Sequence, residues 1–272
     1  MTQHVLMCDP RHYRIAYEIN PWMRRSNAVV HATAGEQWRA LHDVLVDLGV
    51  RVELVEQRAE VPDMTFTANA GVVVGRRFIP ANFRFAERQA ETPHFERWFK
   101  EHGYEVVRVH APHFWEGEGD VLTAGGRVFA GYRFRTEFRA LDHLDEMLQA
   151  ETVRLELRDP RFYHLDTCLF PIDARRALYF PGAFTDASCA RLAATFADLV
   201  EIPEVEATRF ACNALLVDGT AVLNTGCDAT VAALEARGLA CRTTPTDEFI
   251  KAGGSVKCLV LTLDTFAVPP SR

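Results

Sequence analysis

The chain has 272 residues, 48% of them hydrophobic and 25% charged, a make-up that fits a globular protein with a sizeable core. At about 150 residues per domain the length allows one domain or two. A formal net charge of −7 argues against a protein that coats nucleic acid, which needs clustered Lys and Arg, and leaves small substrates open.

The chain opens with a β-type run, HVLMCDP, and lacks a basic segment followed by an apolar run of leader length. A helical stripe follows in Glu36–Gly49, where Trp38, Leu41, Leu45 and Leu48 recur at three- and four-residue steps, and then a β-type run over Val50–Glu56. The same order returns four times. A hairpin pattern surrounds Gly75, with a helix over Glu87–Gly103 and a strand over Tyr104–Val109. The next surrounds Gly125-Gly126, with a helix over Glu137–Ala150 and a strand over Val153–Leu157. The third surrounds Asp173, with a helix over Ala190–Leu199 and a strand over Val200–Val205. The fourth spans Asn213–Leu223 around Asp218-Gly219, with a helix over Thr230–Gly238 and a strand over Ala240–Thr244. The last run, SVKCLVLTL, is expected to pair with HVLMCDP, so both ends would close a ring.

Gly71, Gly119, His164 and Cys212 mark corresponding points roughly 45–48 residues apart, a spacing that signals radial repetition. Each unit includes a helix, so an all-β blade does not fit. The expectation is one closed α/β domain over residues 1–272, built from about five ββαβ units around an axis. An ordinary open α/β sheet is the alternative. No stretch approaches the ~20 apolar residues of a membrane span. Seven cysteines, with no C-x-x-C pair, oppose a disulfide framework or a zinc ribbon; the expected compartment is the cytoplasm.

Polar residues gather where the hairpins begin: Asn20, Asn69, Glu116, His164 with Asp166, Asn213 and Cys258. In a radial fold these points converge at one end of the axis. Cys258 ends a glycine turn, GGSVKC. It reads either as a nucleophile or as an inert buried thiol, and Lys257 either turns inward to favour a thiolate or, by strand alternation, faces solvent. His164 and Asp166, at i and i+2 of a strand, would share one face and hold a substrate between imidazole and carboxylate; a satisfied core or surface histidine is the competing reading. WEGEGD sets Glu116, Glu118 and Asp120 among two glycines, which suits a guanidinium or a metal ion, with His110 and His113 nearby, or simply a solvated acidic turn. Arg84 and Arg88, four apart, could take a carboxylate or be surface charge. The sequence has no G-x-G-x-x-G after its first strand, no GKS/GKT loop and no G-x-S-x-G elbow.

Taken together, Asn69 in PDMTFTAN, the acidic EG-rich turn, HLDT and a cysteine in a glycine turn before the last strand resemble the guanidino-group-modifying enzymes. This family includes arginine deiminase, dimethylarginine dimethylaminohydrolase, the amidinotransferases and arginine dihydrolase. The resemblance covers nearly the whole chain and implies a five-fold pseudosymmetric α/β propeller. CDPRHYRIAYEINPWM and FTANAG look most like the arginine dihydrolase and bacterial dimethylarginine dimethylaminohydrolase-like branch. Two departures stand out: Asn69 replaces the usual Asp, and EGEGD replaces EGGD, so Glu116 is taken as the guanidinium-binding acid over Glu118.

The resemblance implies that Cys258 attacks the guanidinium carbon, that His164 serves as general acid and then base, and that Glu116 and Asp166 hold the guanidinium. It further implies that Asn69 adds a neutral contact, that Arg84 or Arg88 takes the α-carboxylate, and that Asn20 and Asn213 face the substrate. Arginine would yield ornithine, ammonia and carbon dioxide, with Asn20 linked to the second hydrolysis. The alternatives are a dimethylarginine dimethylaminohydrolase giving citrulline and dimethylamine, a non-catalytic arginine-binding protein and a metal-dependent hydrolase. The expected partner is a small guanidino substrate, arginine or methylarginine, with no metal or organic cofactor, no nucleic acid and no membrane; a homo-oligomer is compatible with the sequence.

Overall fold

At Asp218-Gly219 both residues take positive φ, 43° and 80°. That is the conformation a two-residue hairpin turn needs, and Leu215–Val217 pairs antiparallel with Thr220–Asn224 across it. The computed structural model describes residues 3–108 and 112–264. The hairpin recurs as Gly71–Val74 with Arg77–Pro80, Val121–Ala124 with Arg127–Tyr132, and Leu169–Pro171 with Arg176–Tyr179. The second strand of each hairpin gains a parallel partner after a helix: Glu105–Val106, Thr152–Glu156, Asp198–Glu201 and Ala240–Thr244.

The fifth sheet draws on both ends of the chain. Leu261–Thr262 runs antiparallel to His4–Cys8, and Arg51–Val55 runs parallel to it. Five three-stranded sheets of one internal order form a five-fold pseudosymmetric α/β propeller, as the repeat spacing leads one to expect, and not an open sheet.

The first helix, His31–Asp47, buries Trp38, Leu41 and Leu45, the stripe read from the sequence. The expected helix over 87–103 is two helices, Ala86–Gln89 and Thr92–Glu101. Pro93 stands in the first turn of the second; proline lacks the N–H that a continuing helix would use, and it favours a helix start. The longer helices that follow are Ala140–Leu148, Asp186–Thr195 and Asp228–Glu235. Asp186–Thr195 begins earlier than expected because the Thr185 hydroxyl accepts from the Ser188 N–H and caps it. Among the described residues no helix is long and apolar enough to cross a membrane.

Turns, rather than strands, lead into the hairpins. Thr67–Ala70, Gly117–Asp120, Leu165–Thr167 and Lys257–Leu259 are each a single short helical turn, and they pack on one another near the axis. Two strand-based expectations are corrected here. His164 and Asp166 do not share a strand face: His164 precedes a turn that carries Asp166. Lys257 does not alternate away from Cys258: on a turn both are buried, Lys257 only 9% exposed.

Candidate active site

The Lys257–Leu259 turn presents Cys258, which is 2% exposed. Two groups meet its Sγ: Asn213 Nδ2 at 3.2 Å and Asp166 Oδ2 at 3.3 Å. Asn213 also accepts from the Cys258 N–H at 3.1 Å and donates to the Asp166 carbonyl at 3.1 Å. Both ends of its amide are thereby used by the protein. Asn213, expected to face the substrate, holds the Cys258 turn against the Asp166 turn. Burial, reinforced by the Asp166 charge, pushes the Cys258 thiol well above its ordinary range. Burial also raises Asp166 to about 7, against the opposing pull of Lys257, Cys258 and Asn213.

His164 Nε2 lies 2.8 Å from Glu116 Oε2, both side chains being buried. Glu116 Oε2 further accepts from Arg135 Nη1 at 3.0 Å, and Oε1 accepts from the Arg84 backbone N–H at 3.2 Å. Burial works to raise Glu116, but Arg135, His164 and Arg88 together hold it well below the usual carboxylate range. Asp120 locks the surrounding backbone: Oδ2 accepts from Thr136 Oγ1 at 2.6 Å and Oδ1 from the Leu165 N–H at 3.1 Å. Glu118 turns elsewhere, to Lys257 Nζ at 2.6 Å and the Thr262 N–H at 3.1 Å. Of the two candidate acids in EGEGD, Glu116 therefore faces His164. Gly117 makes this divergence available. Its φ is +57°, and a Cβ there would sit 2.7 Å from the Ala68 carbonyl oxygen and from the Gly71 nitrogen.

A narrow pocket opens beside Cys258, its wall including Asn20, Asp63, Asn69, Arg88 and Arg135. Arg88 is buried and forks onto Glu91 at 2.7 and 2.9 Å, and its Nη1 donates to Asn69 Oδ1 at 2.7 Å. Burial lifts Glu91 to about 7 even though Arg88 opposes it. Arg84 is not a cavity residue: its guanidinium lies 3.5 Å from Glu137 and over the Phe114 ring. Asn20 reaches the cavity wall with its amide already committed, Oδ1 accepting from the Trp22 and Met23 N–H groups and Nδ2 donating to the Ala252 carbonyl. It ties the 20–23 loop to the glycine turn.

Two wall residues were not singled out from the sequence. Arg135 lies in an Arg-rich run, YRFRTEFR, with nothing local to mark it, and is held between the Phe85 and Tyr163 rings at 4.7 and 4.6 Å. Asp63, in PDMTFTAN, is 2% exposed, keeps an unpartnered Oδ1, and is raised by burial against the opposing charge of Arg88. His113 pairs with Glu137 at 3.0 Å, away from Cys258, and His110 lies outside the described residues. Among the described residues no group of three or more His, Cys, Asp or Glu could hold a metal ion.

A family model described as N,N dimethylarginine dimethylhydrolase, eukaryotic, matches residues 17–264. The chain belongs to the dimethylarginine dimethylaminohydrolase family. It is 38% identical to the N(G),N(G)-dimethylarginine dimethylaminohydrolase of Mycobacterium tuberculosis, an alignment covering 96% of this chain and 85% of that one. It is 39% identical to the bifunctional arginine dihydrolase/ornithine cyclodeaminase AgrE of Nostoc, covering 96% of this chain but 38% of AgrE. The chain thus spans about two-fifths of that relative's length. Among solved structures, the N-terminal domain of the cyanobacterial arginine dihydrolase ArgZ, bound to product, superposes with a TM-score of 0.93 at 37% identity, covering 97% of this chain and 98% of that one. Within the dimethylarginine dimethylaminohydrolase family this chain has an amide at position 69, and Arg88 fixes which way that amide points. Arginine only donates, so Oδ1 must face it. Nδ2 is left buried and unpartnered against Gly119, where a Cβ would lie 2.4 Å from Nδ2 and 3.1 Å from the His164 ring.

Proposed function

We propose that this chain hydrolyses the guanidino C–N bonds of L-arginine through a covalent cysteine thiouronium, giving ornithine, ammonia and carbon dioxide. One observation carries the reading: a buried thiol with a carboxylate on its sulfur lies at a narrow pocket whose wall also carries Arg88, Asp63 and Arg135, and Arg135 leads on to a buried His–Glu pair. Spare donors on the two arginines suit an α-carboxylate, and the free oxygen of Asp63 suits an α-ammonium. The substrate guanidinium then lies against Cys258, accepting carboxylates in Glu116 and the unpartnered Oδ1 of Asp166. Its positive charge favours the thiolate that burial disfavours.

The thiolate attacks the guanidinium carbon, and His164 protonates the departing amine. His164 then takes a proton from the water that resolves the thiouronium. The residues act without a metal or organic cofactor in this scheme, within a single domain over 1–272 and in the cytoplasm.

Two rounds of hydrolysis are supported by Asn69. Its free Nδ2 is a donor. A guanidinium offers it no acceptor, whereas the urea carbonyl of citrulline does. A site with that donor in place holds the neutral intermediate for a second attack. AgrE and ArgZ, both arginine dihydrolases by name, support the same reading.

The second reading is a dimethylarginine dimethylaminohydrolase, favoured by the Mycobacterium tuberculosis relative. Mass spectrometry of the products from L-arginine and, separately, from asymmetric dimethylarginine, with chelator present, decides between them. Ornithine from arginine without accumulating citrulline is expected. Turnover of the methylated substrate alone, to citrulline and dimethylamine, would overturn the proposal. Tight arginine binding without turnover would point to a binding protein, and loss of turnover with chelator to a metal-dependent hydrolase.

A further inference from the structure

The scheme above leaves one proton without a destination, that of the Cys258 thiol. His164 is the usual first choice for a base, yet its Nε2 is engaged by Glu116 at 2.8 Å. The Sγ instead donates toward Asp166 Oδ2 at 3.3 Å, while Asn213 Nδ2 sits at 3.2 Å on the same sulfur. Asn213 aligns this pair by holding both turns at once, through the Cys258 N–H and the Asp166 carbonyl.

Resting on the proposed hydrolysis, we infer that Asp166 is the proton acceptor for Cys258, so that the acid–base work is divided between two residues. The S–H bond breaks and its proton moves to Asp166 Oδ2. The sulfur lone pair forms the bond to the guanidinium carbon. When water has resolved the thiouronium, the C–S bond breaks with its electron pair returning to sulfur, and Asp166 gives the proton back. Asp166 Oδ1 stays an acceptor for the guanidinium throughout, protonated or not. Asn213 Nδ2 stabilises the thiolate by donating to it. His164 is thereby free to act as the acid for the leaving amine and the base for water.

Electrostatics sets this role apart from a merely structural one. A carboxylate that only stood near the thiol would discourage the thiolate, and its removal would make Cys258 more reactive. A carboxylate that takes the proton does the reverse.

The test is the rate of Cys258 alkylation by iodoacetamide, a neutral probe, in the absence of substrate at neutral pH, with the alkylated residue identified by mass spectrometry. Asp166→Asn and Asp166→Ser are compared with the wild type, and either variant that folds reads the proposal. Alkylation slowed at least tenfold is expected, with kcat for arginine falling at least a hundredfold. Alkylation unchanged or faster would overturn the relay. Because the probe needs no substrate, slow alkylation in a chain that never turns over arginine would leave the relay standing and sink only the arginine reading.

Discussion

Glu116 and Glu118 stand two residues apart in one acidic turn, and both are buried. Glu116 meets Arg135 and His164; Glu118 meets Lys257 and the backbone of the last strand. The first is held ionised, well below the usual range, because three cationic or donating groups outweigh its burial. The second is raised by burial, which Lys257 alone among the charges opposes. The difference teaches that acidity in this core follows the number of cations in reach, and that a turn bent by one left-handed glycine can send neighbouring acids to separate tasks: one toward the reaction, the other into holding the ring closed.

Glu116→Gln should have the largest effect on catalysis. It keeps the shape but removes the charge that faces His164 and the guanidinium. A loss of kcat on the order of 10³-fold is expected. Activity within tenfold of the wild type would break the assignment. Glu118→Gln should act on stability, with kcat largely kept. It leaves the buried Lys257 ammonium, which also donates to the Val260 carbonyl at 3.1 Å, without the carboxylate that balances its charge. Breaking a buried pair costs about 3–5 kcal/mol, which lowers the melting temperature by roughly 10 °C in a chain of this size. An unchanged melting temperature with lost turnover would mean that the two acids have exchanged roles.

The same contrast shows what was legible in the sequence. Glu116 could be chosen over Glu118 only by its place in a motif, since composition and spacing treat the two alike. The ring itself was legible: hydrophobic period, turn residues such as Asp218-Gly219 and a repeat spacing all act locally, and both chain ends carry strand patterns that lack a partner nearby. Cys258, His164, Glu116 and Asp166 were readable because they recur at the start of hairpins. Arg135 and Asp63 were not, because an arginine among arginines carries no local mark of burial, and its partners Glu116 and Ile19 lie far off in sequence. Asn20 and Asn213 were read as facing the substrate; in the structure their amides bond to backbone and to Cys258. An asparagine satisfies backbone as readily as ligand, and only coordinates show which. Strand alternation failed for Lys257 because the segment before the last strand closes into a turn.

A subtler effect sharpens the comparison by adding another buried acid, Asp166, which faces Cys258, Asn213, Lys257 and Glu118. Burial raises it to about 7. A carboxyl raised by folding stabilises the folded state while protonated, so its contribution is fully present below the unfolded value and is lost as pH rises through about 7. Its chemistry runs the other way, because only the carboxylate accepts a proton from sulfur. Alkylation of Cys258 by iodoacetamide should therefore climb as pH rises from 5 and level off above its midpoint, which Asp166 places near 7. The thiol itself, pushed well above its ordinary range, would give no inflection there. In Asp166→Asn the climb near 7 should vanish, leaving a slow rate that rises only in strong alkali. A wild-type rate that increases without inflection through pH 9 would assign the control to the thiol alone and leave Asp166 as a charge beside it.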